Sequence, residues 1–431
     1  MSSKSKTQIM RKRNMKIFPT YKKLAWDYLF FYAIDFIFLT QIKNINAADI
    51  VLKSSFYALF SIFLQIPANI IVDFLGRKNS VILGNFLNCF YILVLMFSRN
   101  LPDLVFGEFI SAIAFSIKNI AEPSLLNESI PPSKYKSQIF AKINAKGASG
   151  YFLFGAISKV IAGYLFTING YLPMICSFIV LVIVTIMSMF FIEPIEKKNK
   201  TQNDINYLKN ITEIKDGFIY VLKSDRLKAL ILSAGLLATL LKIMQNYNIS
   251  LLEDIKISSF YIGIISAIGS FAGATASKNQ EAFHKKLTNK SLITIALILA
   301  SSSLISGICG INAANSMILL TITIFCIWTY NFCSGMYHTI IDKYLRNFTN
   351  KEIDTKIFAA KNLVTNSFRF FGGLIASFLL NRMKTAYCMI IIGIFFFIIY
   401  ILMGKYMSTR VGKRPEQYSK EETKYDEIGI F

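Results

Sequence analysis

The stretch Pro67-Ala68-Asn69-Ile70-Ile71-Val72-Asp73-Phe74-Leu75-Gly76-Arg77-Lys78 closes one long apolar run, 50–72, and within a few residues opens onto another, 80–98. A bilayer core about 30 Å thick takes roughly 20 helical residues to cross, and both runs have that length. An acid, a glycine and two bases between two such runs read as a tight turn at a membrane boundary. Asp73 is placed to accept helix N-terminal amides, where carboxylates are favoured. Gly76 permits the turn, and Arg77 offers charge-assisted pairs to carboxylates such as Glu122 or Glu128. The plainer reading is a turn whose charges only set topology.

Outward from this turn the same pattern repeats. Twelve apolar runs are expected to be membrane-spanning helices: 24–41, 50–72, 80–98, 101–122, 138–166, 171–193, 227–248, 257–277, 289–308, 314–337, 356–381 and 385–406. Strand-type spans would be shorter and alternating, so the expected class is an all-α membrane protein. Composition agrees: of 431 residues 54% are hydrophobic and only 17% charged, with 38 Phe against 2 His. A soluble domain is nearer a quarter charged. The net charge of +22 would suggest nucleic acid in a soluble chain; here it falls mostly in tails and alternate connections. No nucleic-acid partner is expected, and the bilayer, including its anionic lipids, is. The six cysteines lie inside apolar runs without paired spacing, so neither a disulfide framework nor a zinc site is indicated.

The excess of Lys and Arg on cytoplasmic loops orients the chain. The N-terminal stretch carries Lys4, Lys6, Arg11, Lys12, Arg13, Lys16, Lys22 and Lys23, and every second connection after it is basic: Arg77 and Lys78, Lys134 and Lys136, Lys197 to Lys200, Lys285 to Lys290, Lys343 to Lys351. Both termini are therefore expected in the cytoplasm. The first run is too long for a signal peptide and reads as a retained helix. The longest polar connection splits the spans six and six. The expected organisation is a basic tail over 1–23, a six-helix half over 24–193, a linker over 194–226, a second half over 227–406 and a tail over 407–431. At one common offset Ile139-Phe140-Ala141-Lys142-Ile143-Asn144 faces Ile357-Phe358-Ala359-Ala360-Lys361-Asn362, with Phe152 against Phe370 and Gly155 against Gly373. A parallel repeat of two six-helix halves is a transporter arrangement.

With these residues in view, the 67–78 stretch resembles the major facilitator superfamily, whose loop between helices 2 and 3 reads Gly-x-x-x-Asp-x-x-Gly-Arg-Lys/Arg. Asp73, Gly76, Arg77 and Lys78 match, and Asn69 replaces the leading Gly. Pro67 and the stretch Ser116 to Leu126, with Glu122, look like the bacterial efflux-type branch, although Lys118 and Asn119 stand where that branch has a Ser-Gly pair. The Gly-Pro antiporter signature of helix 5 is not met: Gly155 precedes Ala156. The resemblance implies a cytoplasmic gating role for Asp73, Gly76, Arg77, Lys78 and Glu122, with helices 1, 4, 7 and 10 lining a cavity.

Ionisable side chains inside spans are costly and mark functional candidates. Asp35, Glu108, Lys118 and Arg369 are the candidates for the substrate and proton pathway. As function, Asp35 or Glu108 exchanges a proton and Lys118 and Arg369 hold an anionic group; as structure, Asp35 pairs with Arg369 and Glu108 with Lys118. Lys159 and Lys242 read as snorkelling, as do Lys142, Lys146 and Lys361. Tyr330, Asn331, Tyr337, Gln245 and Asn246 are candidate cavity residues, and His338 an interfacial one. No phosphate-binding loop, metal cluster or nucleophile elbow occurs, so no cofactor and no enzyme activity are expected. The expectation is a monomeric secondary transporter of a small organic solute, proton-coupled and exporting, at the plasma membrane. Organic-anion import or exchange, and ligand binding without transport, are the rival readings.

Overall fold

Backbone amides and carbonyls in hydrocarbon must be satisfied within the segment, which leaves helix as the outcome for long apolar runs. The structure is a computed structural model that describes residues 3–411 apart from 33, 132, 134, 194–206 and 349–353. Lys134, Lys197, Lys198, Lys200 and Lys351 lie outside the described residues, as do the side chains of Lys4, Lys6, Arg11, His338 and Arg346. In chain order the helices are α1 (Ser3–Ala25), α2 (Asp35–Ile37), a π-helical turn (Phe38–Ile42), α3 (Ala47–Leu75), α4 (Arg77–Phe97), α5 (Leu101–Ser129), α6 (Lys136–Ile168) and α7 (Leu172–Met189). There follow α8 (Tyr207–Lys223), α9 (Asp225–Asp254), α10 (Ser259–Leu287), α11 (Ser291–Gly310), α12 (Met317–Phe348), α13 (Asp354–Leu380) and α14 (Thr385–Ser408). Among the described residues, 11 helices are long and apolar enough to cross a membrane; they correspond to every expected run except the first.

The first run departs from expectation. Helix α1 begins far upstream, through the stretch read as a tail, and ends at Ala25. The chain then leaves helical geometry until Asp35, with Phe30 at a φ of +63°, and re-enters it as α2 and the π-helical turn. Neither Gly nor Pro explains the interruption. Two side chains supply alternative partners to the helical backbone at this point. The Lys118 ammonium donates to the Ala25 carbonyl at 3.0 Å, and the Tyr28 amide donates to the Asp27 carboxylate at 2.9 Å. Such side-chain bonds compete directly with the helical ladder.

The chain folds as two compact units. The first comprises Met1–Ile45 and Phe63–Tyr207. In it α4 packs on α5 and α7, and α1 lies along α6 with further contact to α5 and α7. Phe18, Tyr21, Val72, Val81, Ile117, Leu125 and Phe191 close its core at the end that carries the α3–α4 turn. The second unit comprises Asn46–Ile62 and Leu208–Phe431, so the early part of α3 belongs with the later helices. There Ser377 donates to the Ala48 carbonyl at 2.8 Å, and Phe56 meets Phe370 with centroids 6.4 Å apart. In this unit α11 packs on α14 and α12, α10 on α12, and α9 on α13 and α14.

Close approach of helices through small residues is the means by which membrane helices gain packing energy. The crossing of α10 and α12 shows it: a Cβ built at Gly335 would lie 2.1 Å from the Gly273 carbonyl oxygen. The Gly335→Ala change must push the two backbones apart, at about 1–3 kcal/mol. At Gly155 the nearest atom to a built Cβ is 4.0 Å away. In detergent-solubilised protein Gly335→Ala lowers the thermal unfolding midpoint, and Gly155→Ala leaves it within error of the parent.

Candidate functional site

The α3–α4 turn is built as a carboxylate-rich clamp within the first unit. Gly76 precedes α4 with φ +83°, a conformation that side chains disfavour, and a Cβ there would stand 3.2 Å from Glu193. The reason for that closeness is Glu193 itself. Its two oxygens accept the Arg77 and Lys78 backbone amides at 2.9 and 2.8 Å, capping the orphan donors of α4 and opposing the positive end of the helix. Asp73 was expected to take those amides; it instead accepts Arg77 Nη1 at 3.1 Å. Arg77 Nε reaches Glu128 at 3.2 Å, one of the two partners expected for it. Lys78 contributes its backbone amide.

Glu193 escapes a reading by motif because it follows α7, far along the chain from the turn. Its carrier segment is held by Asn14 on α1. The Asn14 amide donates to the Ile192 carbonyl at 2.7 Å and to Ser129 Oγ at 2.9 Å, and its oxygen accepts the Ile192 amide at 2.9 Å. A single buried side chain thus ties α1, the end of α5 and the segment bearing Glu193.

Glu122, expected beside Arg77, belongs to a different cluster. Its carboxylate accepts from Tyr21 at 2.7 Å and from Lys22, and Lys118 lies 3.6 Å away on the same helix face. Asn85 on α4 donates to the Tyr21 hydroxyl at 2.9 Å. Glu122 and Lys118 are buried, and Lys22 also stacks on Trp26 with its ammonium 4.7 Å from the ring centre. The reason for the difference is α1: Tyr21 and Lys22, read as the end of a tail, are helical residues inside the unit. Lys118 is consequently engaged by Glu122 and the Ala25 carbonyl, not by Glu108.

Glu108 sits deeper in α5, is 6% exposed, and accepts the Tyr91 hydroxyl at 3.1 Å. Tyr91 stacks on Tyr28, whose hydroxyl donates to Asn88 at 2.7 Å. Asp27 accepts the Tyr32 hydroxyl at 2.7 Å. Asp35 opens α2 on the far side of the interruption and is half-buried. The first unit therefore places Asp27 and Glu108 at a tyrosine cluster that includes Tyr28, Tyr32 and Tyr91, with Asp35 within electrostatic reach of Tyr91.

Arg369 lies in the second unit, on α13, half-buried among apolar residues. Of the candidate cavity residues there, Tyr337 is committed to packing, its hydroxyl donating to the Ala234 carbonyl at 2.7 Å. Asn331 fills the space above Gly269 and Gly273 and bonds the Ile327 carbonyl at 3.1 Å. Lys361, read as snorkelling, pairs with Asp342 at 2.9 Å. Lys242 donates to Gln245 at 3.0 Å. Among the described residues no group of His, Cys, Asp and Glu is arranged to hold a metal ion.

Among the described residues, eleven helices long and apolar enough to cross a membrane, with ionisable groups inside them, define a multi-pass membrane protein of the all-α class. The sequence matches the Major Facilitator Superfamily over residues 26–346, and the chain belongs to that superfamily. It is a transporter of the secondary type, in a family of transporters and not of enzymes. It is 19% identical over 367 residues to the uncharacterized MFS-type transporter YxaM of Bacillus subtilis strain 168, covering 84% of this chain and 88% of that one. Among solved structures it is similar to the nucleoside transporter NupG, at 12% identity and TM-score 0.65 over 92% of this chain and 98% of that one. A POT family transporter in complex with 5-aminolevulinic acid gives TM-score 0.66 at 12% identity, covering 93% and 95%. At such identities these structures speak for the fold alone.

The buried cluster makes an ordered prediction. Glu122→Gln leaves Lys22 and Lys118 without their counter-charge and costs about 3–5 kcal/mol, as removing one member of a buried ion pair does. Lys118→Met leaves the Lys22–Glu122 pair balanced and costs less, despite losing the donor to Ala25. Thermal midpoints of the two variants, measured side by side in detergent, check the order; equal midpoints would falsify it.

Proposed function

We propose that the protein moves a small organic solute across the plasma membrane by rocking-switch alternating access, coupled to protons and in the direction of export, with both termini cytoplasmic. The observation that carries the coupling is the gathering of Asp27, Asp35 and Glu108 with phenols inside one apolar unit. Ionisable side chains inside an apolar body are costly and mark ion and proton pathways, and these carboxylates share one unit. Glu108 is the member most enclosed, and Asp35 opens the short helix α2 after the interruption.

Partners in this reading are the solute, protons and the bilayer, with anionic lipids facing the basic connections; the working unit is a monomer. The efflux-type look of Pro67 and Glu122 supports export, and the unmet antiporter signature around Gly155 weighs against it. Organic-anion import or exchange is the second reading, and Arg369 is the observation that favours it. The neighbours' names, nucleoside and 5-aminolevulinic acid among them, span several solute classes and select none for this chain.

The test uses the full chain in proteoliposomes holding a pH-sensitive dye. Drugs, sugars, amino acids and organic acids are added in turn, and solute-dependent proton movement is recorded. Asp35→Asn and Glu108→Gln are each expected to bring that movement to background while solute binding, read by thermal shift, persists. Proton-coupled flux surviving both substitutions removes these carboxylates from the pathway. Binding without any flux removes transport itself.

A further inference from the structure

The cations buried in the apolar body divide by what neutralises them. Lys22 and Lys118 face Glu122, Lys361 faces Asp342, and Arg226 lies over the Phe348 ring at 5.3 Å with further interactions besides. Arg369 differs. Among the described residues it forms no ion pair, and its buried Nε meets no hydrogen-bond acceptor. One helical turn earlier on the same face of α13, Thr365 is 7% exposed and its hydroxyl is also buried without a partner. That is unusual for its setting. Many hydroxyls in these helices bond the carbonyl four residues back, as Ser367 does to Leu363 at 2.9 Å and Thr239 to Gly235 at 2.9 Å; Ser306 and Ser177 share the unpartnered state of Thr365, but without a cation one turn away. Thr365 and Arg369 are thus adjacent donors that the protein itself does not use.

Two further features turn this pair into a recognition point. The guanidinium lies within electrostatic reach of the phenols of Tyr330 and Tyr337. Tyr337 is spent on the Ala234 carbonyl, while the Tyr330 hydroxyl makes no hydrogen bond among the described residues. The helix that carries Arg369 is also held firmly: Phe368 beside it packs where a Cβ on Gly235 of α9 would come within 2.7 Å, and Gly372 one turn on is pressed against Thr239. A planar, permanently charged fork on a fixed helix, with an unpartnered hydroxyl one turn away and a phenol within electrostatic reach, matches the oxygens of a carboxylate or phosphate. It does not match a cation or an uncharged sugar, which would leave the guanidinium uncompensated in hydrocarbon.

We infer that Arg369, with Thr365 and Tyr330, binds the anionic group of the transported solute, so that the substrate is an organic anion carrying a carboxylate or a phosphate. This names the substrate class of the transporter proposed above and rests on that reading. Lys118 is released from the role of anion holder that its position in the sequence suggested, because Glu122 and the Ala25 carbonyl already occupy it.

The experiment uses the purified full chain in detergent and, in parallel, in proteoliposomes. Benzoate, succinate and glycerol 3-phosphate are the probes, with benzamide, succinamide and glycerol as uncharged counterparts, and the readout is the dose-dependent rise in unfolding temperature. At least one anion is expected to stabilise the parent where its uncharged counterpart does not. Arg369→Gln is expected to weaken that anion by about thirtyfold or more, the scale of losing one side of a buried charge-assisted contact. Arg369→Lys, which keeps the charge and loses the fork, is expected to fall between. Thr365→Val should weaken the same anion several-fold. Without ligand, Arg369→Gln should unfold at or above the parent temperature, since no internal partner is lost. Anions that all fail to stabilise, counterparts that stabilise equally, or undiminished binding in Arg369→Gln overturn the inference. So does a ligand-free Arg369→Gln that melts several degrees lower, which would reveal an internal counter-charge. Anion binding with no flux keeps this site and removes transport; flux of a neutral solute with no anion binding keeps transport and removes this site.

Discussion

Glu122 is the charge around which the first unit closes. A carboxylate buried at this depth is tolerated only when its charge and lone pairs are met, and here Tyr21, Lys22 and Lys118 meet them from two helices. The requirement runs in both directions. Lys118, drawn in by Glu122, has one more donor to place, and places it on the Ala25 carbonyl. That carbonyl is where α1 ends. The interruption of the first membrane run, the docking of α1 and the position of Trp26 under Lys22 all depend on the same neutralised knot of charge.

The clamp at the α3–α4 turn obeys the same rule with exposed edges. Arg77 meets Asp73 and Glu128, and Glu193 meets the α4 amides. The three carboxylates, Arg77 and Asn14, which holds the Glu193 segment, all belong to the first unit. The cluster therefore stiffens that unit and fixes how it presents its turn. A gating role of the kind the resemblance implies would act through this rigidity, with Gly76 as the point where a side chain cannot be accommodated without displacing Glu193.

How far all this was legible in the sequence follows from the reach of each interaction. The eleven candidate spans among the described residues were legible because hydrophobic length along the chain is a local signal. Asp73, Gly76 and Arg77 were legible because they are neighbours in sequence, whereas chemistry alone left Glu122 and Glu128 as alternative partners for Arg77, of which the structure shows Glu128. Glu193 was not, being 116 residues from Arg77 with nothing in its surroundings to announce a cap. Asn14 was not, because a polar residue in a basic stretch looks like solvated tail. The break after Ala25 was not, because no Gly or Pro marks it; the side chains that bond the backbone there are Asp27 and Lys118, the latter approaching from α5. Tyr337 and Asn331 looked like cavity residues because polar groups in a span attract that reading, while a backbone carbonyl, on α9 for Tyr337 and one turn back on α12 for Asn331, satisfies each equally well.

A charge inside an apolar body has two ways of being kept: a partner within the protein, or a partner that arrives. The first leaves a visible pair, and Lys118, Lys361 and Lys22 show it. The second leaves donors with no acceptor, a state that selection for stability alone would remove, since an aliphatic side chain of similar volume serves a packed helix face better. Arg369 and Thr365 are in that second state together, one turn apart. Two independent unmet donors on one face are harder to account for by packing than one, because each could have been removed separately at no cost to the fold. Their juxtaposition on one face is the observation from which the proposal of an arriving acceptor is argued.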